Sequence, residues 1–168
     1  MEIYVWMLSF LIIFMLHNLE EIIMIERWFQ KTYPRINTRI PSYIQKELKH
    51  YENTTSIQFA VVIFVFAVFV SALVFVAAMT QHDYLFLGVN LFFGLNIFTH
   101  PLQTLYLRSY TPGVLTSLFL IIPYYSLFFY RYYSTNMFTL DSILGALVVF
   151  VFLIPVFLLS HKIGEKWS

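Results

Sequence analysis

The chain has no cysteine, which excludes disulfides and thiolate chemistry. Charge is scarce too. Asp, Glu, Lys and Arg make up 11% of the residues, against about 25% in soluble domains, and so few cannot coat a water-facing surface. Gly-rich phosphate loops, internal repeats and low-complexity tracts are missing as well. What is present is apolar: 60% of the residues are hydrophobic and the mean hydropathy is +0.74. A chain of 168 residues normally makes one domain, and lipid must solvate this one. Its net charge of +1 says nothing about partners, but the placement of the charges does. The 19 phenylalanines are ordinary lipid-facing residues.

A bilayer core needs about 20 apolar residues per helix. The stretches 3–25, 57–79, 84–107 and 140–160 are long enough, and 114–130, which carries Pro123, is marginal. They predict an all-α membrane protein, a compact bundle of about five transmembrane helices in a single domain over residues 1–168. The first stretch lacks a basic n-region and a small-residue cleavage site, so it reads as a spanning helix and not a signal peptide. Basic residues set the orientation. Arg27, Lys31, Arg35, Arg39, Lys46 and Lys49 all fall in the loop 26–56, and the turn at Gln81–Asp83 has none. With the N-terminus outside, every Lys and Arg except Arg131 lies on the cytoplasmic side, as the positive-inside rule requires. Within that loop a helix starting at Pro41–Ser42 puts Ile44, Leu48, Tyr51 and Thr55 on one stripe. This reads as an interfacial helix on an anionic leaflet. The expected location is the plasma membrane, with lipid as a partner and no nucleic acid.

The informative feature is the run His17-Asn18-Leu19-Glu20-Glu21 inside the first span. A carboxylate near a bilayer centre costs roughly 2.5–3.5 kcal/mol on insertion scales, so both glutamates should face the bundle interior. Spacings of three and four residues put Glu20 and Glu21 on the face of His17, with Asn18 and Leu19 pointing elsewhere. The third span supplies a second polar face in Asn96, His100 and Gln103. Pro101 removes a backbone donor there, predicting a kink and a freed Ile97 carbonyl. His17 and His100 each sit roughly 10–12 Å from the inner ends of their spans at the helical rise per residue. The two faces are therefore level, in the cytoplasmic half. His161, at the inner end of the fifth span, joins them if that helix reaches deep enough.

These residues resemble the HXXEE-domain family of bacterial integral membrane proteins, whose motif stands here as His17, Glu20 and Glu21. The resemblance extends to Arg108-Ser109-Tyr110-Thr111-Pro112-Gly113 and to His161, and it implies no established reaction. Chemistry has to come from the residues. H-x-x-E-E is similar to the inverzincin pattern H-x-x-E-H with the last His replaced by Glu. On that analogy His17 and Glu21 are Zn2+ ligands, Glu20 is the catalytic base, and His100 is a third ligand from the other helix. His161 could close the fourth position. Asn96, Gln103 and Arg108 form a supporting polar network, with Arg108 able to pair with a glutamate. The reading that follows is a zinc-assisted hydrolase of a lipid or other hydrophobic substrate, open to the cytoplasm. Three alternatives stand beside it. One is a non-enzymatic ion or proton transporter, for which a homodimer would supply the missing repeat. A second is a buried network that only holds the helices in register. The third is a metal-free glutamate protease, weakened because Arg27 does not follow the glutamates at the EExxxR spacing.

Overall fold

The computed structural model describes residues 3–135 and 137–167, and every regular element among them is helical. Five helices are long and apolar enough to cross a membrane: Ile3–Lys31, Ser56–Thr80, Asp83–Leu107, Val114–Ser134 and Leu140–Glu165. The first is the unbroken helix α1, whose 29 residues span about 43 Å, longer than the roughly 30 Å hydrocarbon layer. It runs past the expected end at Ile25 because Trp28 and Phe29 continue the buried face. After it come the short turn α2 (Tyr33–Ile36), a 3-10 turn, and α3 (Ser42–His50). The second span, α4 (Ser56–Thr80), opens on a capping box. The Thr55 hydroxyl accepts from the Gln58 backbone N–H, and the Gln58 side chain accepts from that of Thr55.

The third span is broken in two, α5 (Asp83–Phe93) and α6 (Asn96–Leu107). The break was expected at Pro101, but it lies upstream at Gly94–Leu95, where Leu95 N–H bonds the Phe92 carbonyl at 3.3 Å and Ile97 N–H bonds that of Gly94 at 3.1 Å. Pro101 stays inside α6. Gly94 keeps right-handed helical angles, φ −62° and ψ −17°, so the break is a run of tightened three-residue hydrogen bonds at Gly94–Leu95 nearly two turns before the proline. The fourth span begins as α7 (Val114–Thr116), passes through a π-turn at Ser117–Ile121 and continues as α8 (Ile122–Ser134). The π-turn hands over to Pro123, whose missing N–H needs a locally irregular ladder. The fifth span, α9 (Leu140–Glu165), carries Pro155 internally.

Lipid offers no hydrophobic drive between helices, so close packing must hold the bundle. Aromatic rings do most of it. Phe10 meets Phe86 and Phe93 edge-on at 5.7 and 5.4 Å, and Trp6 meets Phe128 at 5.7 Å. Gly88 lets α5 lie against α9, since a Cβ there would come within 2.8 Å of Val149 Cγ1. One buried polar group, Asn90, is satisfied from two sides. Tyr124 donates to its side-chain oxygen at 3.1 Å, and Tyr125 donates to its backbone carbonyl at 2.6 Å. A second, smaller cluster gathers Trp28, Phe29, Tyr33, Ile36 and Ile40 at the other end of α1. The stripe Ile44, Leu48 and Tyr51, expected to face lipid, packs on this cluster, so the protein itself supplies its apolar surface.

Candidate metal centre

α1 carries His17, Glu20 and Glu21 toward the neighbouring helices, while Leu19 is exposed to the outside. Asn18, expected to point away from the His17 face, still lies inside the bundle. It is buried, lines the same cavity as Glu21, and donates to the Phe14 carbonyl at 2.6 Å, which satisfies its amide within its own helix.

His100 reaches the same place from α6. Its Nε2 lies 3.4 Å from Glu21 Oε1, and His17 Nε2 lies 3.9 Å from Glu21 Oε2. The two imidazole rings stand 4.9 Å apart, edge to face. One ligand atom from each of His17, Glu21 and His100 falls within 4.8 Å of the other two. Tetrahedral zinc with bonds of about 2.05 Å puts its ligands about 3.3–3.4 Å apart. The Glu21–His100 separation already has that value, and the Glu21–His17 separation exceeds it by about half an ångström. His17 is fully buried and its Nε2 has no hydrogen-bond partner. An unpaired buried acceptor is costly, and a cation placed between these three groups would satisfy it.

Glu20 has a different environment. Its Oε1 accepts from the Tyr110 hydroxyl at 2.7 Å and the Leu115 N–H at 3.3 Å. Its Oε2 accepts from the Thr116 N–H at 2.8 Å and the Thr116 hydroxyl at 2.6 Å. The local reason is helix capping. The fourth span starts after Gly113, which has no side chain to accept from the orphan N–H groups of the first turn. Glu20 takes that role from another helix, and its charge sits at the positive end of the helix dipole. The carboxylate expected as the general base thus accepts four hydrogen bonds from these three residues.

The segment between α6 and α7 is built around the two histidines. Gly113 has φ +85°, and a Cβ there would lie 2.9 Å from His17 Cε1 and 2.8 Å from His100 Cε1. Trp28 Nε1 donates to the Tyr110 carbonyl at 2.6 Å, and the Thr104 and Thr111 hydroxyls meet at 2.5 Å. This ties the segment to α1 and to α6. Gly113, Tyr110 and Thr116 are the site residues that sequence reasoning left without a role. A helix start written Pro-Gly, with no capping side chain of its own, was the available signal.

The remaining expected members are spread more widely. Asn96 and Gln103 line a cavity of about 630 Å³ together with Glu21 and His100, and mostly aromatic and aliphatic side chains form its walls. His161 lines the same cavity and stacks edge-on against Phe157 and Tyr51 at 4.7 and 6.0 Å. It does not belong to the metal-sized group of three. Arg108 is exposed, caps α6 in a left-handed conformation at φ 47°, and makes no ion pair with a glutamate among the described residues. Its exposure at the end of α6 leaves the expected pairing unformed among the described residues.

A family model described as "Protein of unknown function with HXXEE motif" matches residues 8–130. That range contains His17, Glu20, Glu21, His100 and Thr116 and leaves out His161. The chain is 31% identical over 158 residues to the uncharacterized protein YrkK of Bacillus subtilis (strain 168), covering 91% of each. No solved structure matches it.

Proposed function

We propose, for a chain that belongs to the HXXEE family, that His17, Glu21 and His100 hold a divalent metal ion within the membrane. We further propose that the protein is a zinc-assisted hydrolase of a lipid or other hydrophobic substrate. The observation that carries the reading is the convergence of three ligand atoms within 4.8 Å of one another in an interior where ionisable groups are rare. Two imidazoles and a carboxylate make a catalytic zinc set with a fourth position open. The donors suit zinc better than magnesium or calcium, which prefer oxygen. Zinc bound there would lower the pKa of a water molecule to about 7 and polarise a carbonyl oxygen.

The chain's own residues supply the rest. Glu21 and His100 border the cavity, so a reacting group can approach them from one side, and His17 is closed off behind them. Asn96 and Gln103 offer amide donors on the cavity wall to orient a substrate carbonyl. The apolar remainder of the wall favours an acyl chain. In ester hydrolysis the water oxygen bonds to the acyl carbon, the acyl C–O bond breaks, and the water proton goes to the leaving alcohol. With the N-terminus outside, the cavity belongs to the cytoplasmic half of the membrane and its substrate enters from that side.

The test is turnover of fluorogenic acyl esters by the purified protein in proteoliposomes, with zinc or with chelator. Zinc-dependent turnover that disappears in Glu21→Ala is expected. A folded, zinc-loaded protein that cleaves no ester but carries zinc across the vesicle wall would replace the hydrolase with a transporter.

A further inference from the structure

The Thr116 hydroxyl has three neighbours within hydrogen-bond distance: Glu20 Oε2 at 2.6 Å, His17 Nδ1 at 2.8 Å and the Gly113 carbonyl at 3.2 Å. It has a single proton to donate. The carboxylate is the closest and the only charged acceptor, and charge-assisted O–H···O bonds are the short, strong ones, so the proton points at Glu20. The Thr116 oxygen then faces His17 with a lone pair, and His17 Nδ1 must be the donor. That leaves His17 Nε2 bare, directed at Glu21 and His100, and without a hydrogen-bond partner.

We infer that Thr116 is a positioning residue that links Glu20 to His17 by hydrogen bonds and locks its imidazole in the Nδ1–H tautomer, with Nε2 free to ligate a cation. The inference rests on the proposed metal site and deepens it. It separates the two glutamates of the motif, assigning Glu21 to the metal and Glu20, through Thr116, to the orientation of His17. Metal-ligating histidines generally donate their other ring nitrogen to a carboxylate or carbonyl; here a hydroxyl stands between. The arrangement also joins two events. The four donors that Glu20 accepts come from Tyr110, Leu115 and Thr116, so His17 is oriented only when the fourth span is docked on α1.

The experiment compares wild type with Thr116→Val and Thr116→Ser, with two readouts. In the first, chelator competition measures zinc affinity. Loss of an outer partner typically costs 10–100-fold, which is expected for Thr116→Val, with recovery in Thr116→Ser. In the second, nitrogen NMR of metal-free protein carrying labelled histidine reads the His17 tautomer. Wild type and Thr116→Ser should show Nδ1 protonated, and Thr116→Val should lose that signature while His100 keeps its own. Unchanged zinc affinity in a folded Thr116→Val, or an Nε2-protonated His17 in wild type, would overturn the inference. The tautomer readout decides it even if wild type binds no zinc or if Thr116→Val fails to fold. Failure of the metal site is thereby distinguished from failure of the relay.

Discussion

Replacing Gly113 with alanine separates the stability of the bundle from the integrity of the proposed metal centre. The added Cβ would stand 2.8 Å from His100 Cε1, 2.9 Å from His17 Cε1 and 3.0 Å from His100 Nδ1. Carbon atoms in contact settle at about 3.5–4.0 Å, so each ring must retreat by about 0.6 Å or more. Metal sites hold their ligand distances to about ±0.2 Å, several times less than that retreat. The backbone contributes a second cost. A side chain at φ +85° is disfavoured by about 1–2 kcal/mol, and overpacking adds about 1–3 kcal/mol. The fold should survive with a lower melting temperature, while zinc affinity falls at least tenfold, equivalent to about 1.4 kcal/mol. Gly145→Ala is the control, because its Cβ would crowd the Tyr84 side chain at 2.8–3.0 Å without touching the site. It should lower the melting temperature and leave zinc affinity unchanged. Gly113→Ala binding zinc as tightly as wild type would refute the reasoning.

Two further outcomes follow from the same geometry. Asn90→Leu leaves the buried Tyr124 hydroxyl without its partner, which should cost about 1–3 kcal/mol. Adding Tyr124→Phe should recover part of the loss in a thermal double-mutant cycle, and strict additivity would argue against the network. Reporter fusions after Ser168 and within residues 36–42 should both read cytoplasmic, and an external signal at either would reverse the orientation argued from the basic residues.

Much of the architecture was legible because its causes are local. Long, mostly apolar runs announced the spanning helices, and spacings of three and four residues put His17 and Glu21 on one face. Equal depth within two helices of the same direction brought His100 level with them, and the structure places it 3.4 Å from Glu21. The misses have a shared cause, since each depends on a partner from elsewhere in the chain. The partners of Glu20 lie at the uncapped helix start after Gly113, which its own helix does not reveal. Pro101 marks a distortion, but the helix breaks six to seven residues earlier, at Gly94–Leu95. The stripe on α3 has the amphipathic pattern of a lipid-surface helix, and the pattern alone does not say that Trp28 and Phe29 provide the surface it covers.

The most direct measurement is the metal content of the wild-type protein purified without chelator, beside His17→Ala and His100→Ala. The account predicts one divalent ion, zinc, per chain in wild type and its loss in both variants. A folded wild-type protein that holds no stoichiometric metal, even after zinc is supplied, would contradict it.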